Sequence, residues 1–280
     1  MISQLPLIAY FSHHKCASDW TLRVLTQLAD AIGMKIHHTH WPLRLPLGFH
    51  NEPKWAGRIA ASWEYAAEGD YDLLIATNAE MEHVRTLSAR SFQGFHVIRD
   101  PRDITVSGYF SHLASHPVDP DQNPWLMAHR ELLNRCGKEE GLLAELEYSS
   151  THFDRIRFWE YGYGGIVESR FETLMPNPAV ELAQLLAHTG IVVDGYKAPT
   201  DAPLSLRVPA DTWNTIMDAN SFQKLTAGRA KGEESRSSHL RSGLAGDWRN
   251  HFTPSVTARF KALYPGMVPA LGYEADDDWK

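Results

Sequence analysis

Lys15 stands in a run of small and polar residues, Ser12-His13-His14-Lys15-Cys16-Ala17-Ser18, between the apolar stretch Leu7 to Phe11 and a segment with apolar residues at helical spacing. Strand, tight loop and helix in that order aim backbone N–H groups and the positive end of a helix dipole at one point, and such a point binds an anion, most often a phosphate. The loop has no glycine and lacks the Gly-x-x-x-x-Gly-Lys-Ser/Thr spacing of a P-loop, so taken alone it reads as an ordinary strand–helix turn with a solvated lysine. Arg99-Asp100-Pro101-Arg102-Asp103 is a second cluster that could hold an anion; taken alone it is a solvated charge cluster. His37, His38 and His40, with His50 and Glu52 beyond, offer groups that could move a proton near neutral pH.

These residues need a frame. Leu7 to Phe11, Tyr71 to Thr77, Phe95 to Ile98 and Ile166 to Phe171 read as buried strands, and Met34 to Ile36 as the start of another. Between them lie helical patterns. From Asp19, residues Trp20, Val24, Leu25, Leu28 and Ile32 share one face, stopped by Gly33. Helices are also predicted over Arg58 to Glu68, Met81 to Arg90, through Ile104 to Phe110, across most of 125–160, over Asn177 to His188, Asp211 to Leu225 and Pro254 to Leu263. Residues 42–57 and 117–124 read as loops, Pro199 to Pro209 as a connector and Thr226 to Ser238 as a mobile surface loop. Alternating strands and helices predict an α/β fold: a central, mostly parallel sheet with helices on both faces. In such sheets ligands bind beyond the carboxyl ends of the strands, so Lys15, Thr77 and Arg99 should gather on one edge.

A chain of 280 residues with ordinary composition suits a single domain over 1–280. The formal net charge of −7 gives no global field for nucleic acid, so an anion site must be a local concentration of Lys and Arg. Two cysteines, Cys16 and Cys136, make no disulfide framework and point to a reducing, cytoplasmic setting. Neither a secretory leader nor a membrane span is expected.

Three separated segments together resemble the sulfotransferases that use 3′-phosphoadenosine 5′-phosphosulfate (PAPS), in particular the soluble, cytosolic type. Residues 10–21 resemble the family's phosphosulfate loop, Tyr-Pro-Lys-Ser-Gly-Thr-Thr-Trp. Residues 99–109, Arg-Asp-Pro-Arg-Asp-Ile-Thr-Val-Ser-Gly-Tyr, resemble its 3′-phosphate segment. Residues 239–253, His-Leu-Arg-Ser-Gly-Leu-Ala-Gly-Asp-Trp-Arg-Asn-His-Phe-Thr, resemble Arg-Lys-Gly-x-x-Gly-Asp-Trp-Lys-Asn-x-Phe-Thr, a long and specific match. Ser221 to Leu225 and Phe171-Glu172-Thr173-Leu174 are similar to the family as well.

The resemblance implies a P-loop-like strand-loop-helix for the phosphosulfate. It assigns Lys15, Cys16, Ala17, Ser18, Asp19 and Trp20 to that end, Arg99, Ser107, Arg241, Ser242 and Gly243 to the 3′-phosphate, and Trp20 and Phe222 to the adenine, with Phe171 also at the cofactor. The implied reaction moves a sulfuryl group to a hydroxyl, or less readily an amine, of a small, partly apolar acceptor, releasing 3′-phosphoadenosine 5′-phosphate (PAP). Lys15 would serve the bridging oxygen. Many members place a catalytic histidine after the third strand, where this chain has Ala76-Thr77-Asn78. The base is therefore assigned to His40, followed by His38, Glu52 and His50. No metal is expected, because His37, His38 and His40 are close together and no carboxylate or cysteine joins them.

Asp19 replaces a threonine and Ala17 a glycine of the family pattern, and the family's dimer motif is unmatched at Arg249, Thr253, Pro254 and Ala258, so no dimer is carried over. Three alternatives remain at this level: a non-catalytic PAP- or PAPS-binding protein, a nucleotide kinase, and a thiol enzyme with Cys16 as nucleophile.

Overall fold

A computed structural model of the chain describes residues 6–39, 61–118, 124–198, 206–235, 238 and 240–280. The apolar run at the start becomes β1 (Leu7–Ser12), buried at every position. It is followed by α1 (Ser18–Ile32), which ends at Gly33 with φ 74°. β2 (Ile36–His38) starts two residues later than the sequence suggests, because Lys35 faces Asp70 and Asp72 at the edge rather than entering the core. Residues 61–68 are helical (α2). Then come β3 (Leu73–Thr77), α3 (Met81–Thr86) with a 3₁₀ turn at Leu87–Ala89, β4 (Phe92–Ile98) and α4 (Pro101–Phe110).

The five-stranded sheet has the order β2-β3-β1-β4-β5, where β5 is Ile166–Arg170, and all of its pairings are parallel. Alternation along β1 sends Ile8 and Tyr10 to one face and Leu7, Ala9 and Phe11 to the other. The first face packs on α1, on α9 (Pro178–His188) and on α10 (Ala210–Ala219); the second packs on α2 and α3. Covering both faces is what makes the strands continuous apolar runs. The chain leaves β1 toward one edge and β4 toward the other, so the loops after these neighbouring strands diverge and open a crevice between them.

Three helices fill 124–157, namely α5 (Pro124–Arg135), α6 (Lys138–Tyr148) and α7 (Ser150–Arg157), and a single helical turn, α8 (Phe171–Leu174), follows β5. The C-terminal part adds α11 (Phe222–Leu225), α12 (Pro254–Leu263) and α13 (Met267–Ala270). Part of the expected connector is structured: β7 (Leu206–Val208) pairs in parallel with β6 (Ile191–Val193), two strands of three residues, too short for alternation to show in the sequence. The expected helix from 211 to 225 breaks at Asn220, whose side chain turns back to Gln27 Oε1 and the Ile216 carbonyl, both at 2.8 Å. Residues 226–235, expected to be mobile, are tied to the segment after them. Arg229 donates to the carbonyls of Arg241 (2.7 Å) and Leu240, Gly232 N to Ser242 O (2.8 Å), and Ser235 N to Arg241 O (3.1 Å).

α4 does not stop where its hydrogen-bonding pattern changes. Ser111–Ser115 continues it as a π-helical turn, closed by His116 N donating to Ser111 O at 2.7 Å. Such turns are rare and concentrate at functional sites.

Candidate functional site

The loop after β1 holds two non-glycine residues in the left-handed region, Lys15 and Ala17, both with φ 63°. Asn78 after β3 has φ 57° and donates its N–H to Ser12 O at 2.7 Å. Three of the four such residues among those described thus sit at the carboxyl ends of two neighbouring strands. Conformations of this kind cost of order 1–3 kcal/mol each and persist where the surroundings enforce them. The enforcement is visible: Ser12 Oγ donates to Ser18 Oγ (3.0 Å), Ser18 Oγ to His13 O (2.9 Å), and Cys16 N to His13 O (3.2 Å). The curled backbone turns N–H groups at the start of α1 into an anion-binding concavity.

Lys15 is half-buried, and its Nζ donates to Ser111 Oγ in the π turn at 2.6 Å. Burial lowers its ammonium to about 8, against the pull of Asp19 and Glu145. Asp19 itself stands exposed in the first turn of α1. Cys16 is wholly buried, and burial pushes its thiol up to about 12, which works against a nucleophilic thiolate. Trp20 lies in the core, its Nε1 donating to Asn220 O at 2.8 Å.

Arg99 spans the crevice. Its guanidinium donates to Lys15 O (3.3 Å) and Leu244 O (3.4 Å) and stacks over the Phe171 ring at 4.1 Å. Four segments far apart in sequence therefore meet at one side chain. Ser107 is the single residue of α4 that is not buried. Arg241 lies over the Phe110 ring at 4.7 Å and is ion-paired with Glu234 and Asp247. Ser242 is buried beside it. Gly243 has φ 69°, and a Cβ there would lie 2.8 Å from the ring of half-buried Phe222. His40, His50 and Glu52 lie outside the described residues. His37 is turned to the helix α2, its Nε2 donating to Ser62 O at 2.8 Å, and His38 is buried.

Arg102 and its neighbours are not a solvated charge cluster. Arg102 is 1% exposed, pairs with Asp100 through Nε (3.0 Å) and Nη2 (2.7 Å), reaches Glu274 at 2.7 Å and lies over the rings of Trp248 (3.8 Å) and Trp279 (4.6 Å). Asp103 carries the Gly246 and Trp248 backbone N–H groups. This scaffold fixes the Arg241 segment against the start of α4. Nothing local in the sequence signals it, because the Gly-Asp-Trp run and the second aspartate of Arg-Asp-Pro-Arg-Asp that it joins lie 143 to 145 residues apart.

A family model described as the sulfotransferase domain matches residues 87–271. The chain belongs to the sulfotransferase domain family. Among curated sulfotransferases, it is 23% identical over 198 residues to dog sulfotransferase 1A1, covering 67% of this chain and 59% of that protein. It is 24% identical over 171 residues to human sulfotransferase 1C2, covering 60% and 52%. The chain thus spans between half and three-fifths of the length of these relatives. Its fold is that of mouse sulfotransferase SULT7A1, solved in complex with PAP, with a TM-score of 0.57, 17% identity and coverage of 94% of this chain and 85% of that one. Among the described residues, no helix is long and apolar enough to cross a membrane.

Proposed function

We propose that this chain, as a single domain over 1–280, transfers the sulfuryl group of PAPS to a hydroxyl, or secondarily an amine, of a small, partly apolar acceptor and releases PAP. The observation that carries the reading is Arg99, the arginine at the end of β4, which joins the Lys15 loop, Phe171 and the segment after Gly243 at one crevice. The donor set suits a ligand with anions at two ends. One end meets a lysine, a curled backbone and a helix start; the other meets Arg99, Arg241 and a turn where Phe222 leaves no room for a Cβ.

When bound, the cofactor supplies an activated sulfuryl group with a phosphate leaving group. In this reading Lys15 neutralises charge at the bridging oxygen, held on target by Ser111. Backbone N–H groups of 17 and 18 hold the adjacent phosphate, the Cys16 N–H being taken by His13 O, and Ala17, Ser18 and Asp19 shape that turn. Arg99, Ser107, Arg241, Ser242 and Gly243 hold the second phosphate; arginine suits it because its fork donates two parallel bonds. Phe222 and Trp20 frame the base, and Phe171 meets the cofactor beside Arg99. The acceptor's proton goes to His40. Two free cysteines among the described residues fit a cytoplasmic setting.

The test is calorimetric titration with PAP of the wild type and of Arg241→Ala, followed by a screen of alcohols, phenols and amines with PAPS. Binding that Arg241→Ala removes, together with turnover on an acceptor, supports the reading. Absence of PAP binding by the wild type overturns it.

A further inference from the structure

The richest cluster of titratable side chains outside the proposed cofactor contacts lies behind Lys15. His112 comes from the π turn, His129 from α5 and Glu145 from α6. They are 2%, 7% and 0% exposed. His112 Nδ1 and His129 Nε2 each approach Glu145 Oε2 to 2.9 Å, and the three atoms all lie within 4.8 Å of one another.

We propose that His112, His129 and Glu145 form a binding site for a divalent transition-metal ion, Zn²⁺ foremost. Two imidazole nitrogens and one carboxylate oxygen are the donor set such ions take, whereas Ca²⁺ and Mg²⁺ require oxygen ligands throughout. With metal–ligand distances of about 2.0–2.2 Å, neighbouring ligand atoms stand about 3.0–3.5 Å apart. The two Glu145–imidazole separations are within a few tenths of an ångström of this.

The surroundings match what orients metal ligands. Ser149 Oγ donates to Glu145 Oε1 at 2.7 Å, an oxygen that His112 Nδ1 also approaches to 3.0 Å, while Oε2 faces both imidazoles. The Tyr148 ring stacks on His129 at 4.0 Å. Among the described residues no lysine or arginine stands within ion-pair distance of this wholly buried carboxylate, Lys15 attracting it only from further off, and a buried charge calls for a cation close by, which a protonated imidazole or a metal would supply. A second observation is independent of the triad. His14 stacks on His112 at 5.3 Å, and its buried Nε2 has no hydrogen-bond partner among the described residues, so a third imidazole stands beside the three ligands. The other close group, Glu234, Asp247 and His251, is different in kind, because the Arg241 guanidinium already supplies its cation.

An ion here would tie α5 and α6 to the π turn and, through His14, brace the residue before Lys15. This inference does not depend on sulfuryl transfer. Tag-free protein is stripped with a chelator, dialysed and titrated with Zn²⁺ and Co²⁺, with bound metal measured by mass spectrometry and Co²⁺ coordination by visible absorption. The expected result is about one equivalent with a Co²⁺ spectrum of a nitrogen–oxygen site, and binding weakened tenfold or more in His129→Ala and Glu145→Gln. Circular dichroism checks that each variant is folded; if one is not, imidazole coordination in the X-ray absorption spectrum of the wild-type Zn²⁺ form decides. No stoichiometric metal on the wild type, a spectrum without imidazole ligands, or unchanged binding by folded variants overturns the proposal.

Discussion

Asp103 accepts hydrogen bonds from the backbone N–H groups of Gly246 at 2.6 Å and of Trp248 at 2.9 Å, 143 and 145 residues further along the chain. A buried carboxylate on α4 thus holds the turn that follows Arg241. Removing it leaves two N–H groups without their acceptor, which costs about 3 kcal/mol. Asp103→Ala is expected to lose that much in urea unfolding and to weaken PAP binding although Asp103 meets no ligand. Asp103→Asn, which keeps one acceptor oxygen, is expected to fall between. Full stability in Asp103→Ala would show that the turn holds itself.

Lys15 gives a pH dependence with a definite sign. In the free protein its ammonium is lowered to about 8 by burial, so it is charged below that pH and neutral above it. Attraction for an anion is complete below about 8 and fades as pH rises through it. PAP affinity should decline above pH 8, with proton uptake on binding at that pH when calorimetry is run in buffers of different ionisation heat. Lys15→Met should bind weakly at every pH and lose the slope.

If Arg241 holds the second phosphate as proposed, Glu234 competes with the ligand for it. It is partly exposed, so its pairing contributes little in water, about 0.5–1 kcal/mol. Glu234→Gln is accordingly expected to tighten PAP binding about threefold. A loss of affinity would mean that Glu234 positions the arginine instead.

Gly243→Ala places a methyl group 2.8 Å from the Phe222 ring in a backbone conformation at φ 69°. Strain of about 1–3 kcal/mol and a displaced Phe222 should follow. Equilibrium unfolding and PAP titration together test this, because a merely crowded surface would lower stability and leave affinity alone.

Cys16 is buried with its thiol up to about 12, so the native protein should resist iodoacetamide at neutral pH. Cys16→Ser should retain PAP binding and turnover. Loss of both would restore a chemical role to the sulfur.

The strand–loop–helix around Lys15 was legible because it is local: an apolar run, a polar gap, then one helical face ended by glycine, all within 27 residues, 7–33. α12 was legible for the same reason, with Pro254 in its first turn. What escaped the sequence depends on distance along the chain. Arg102 looked like a surface charge because the tryptophans that enclose it stand at 248 and 279. The sequence pointed to histidines at 37–40, of which His40 lies outside the described residues, and it held no sign that His14, His112 and His129, far apart along the chain, gather behind Lys15. The π turn left no trace in the pattern, since its apolar and polar residues would suit an α-helix equally well.

That turn sets how the chain tolerates change in length. A π turn is wound about one residue longer than the α turn it replaces. Beyond Phe110 the phase of the side chains therefore hangs on a single residue: Ser111 faces Lys15 and His112 faces Glu145 in this winding. Loss of one residue between 111 and 115 would let the segment rewind as α-helix with its far end near its present phase, because five residues of π turn sweep about the angle of four of α-helix, and would disturb instead the Ser111 and His112 contacts made inside the turn. What is constrained between α4 and α5 is thus the kind of residue at 111 and 112 more than the count of residues that follows them.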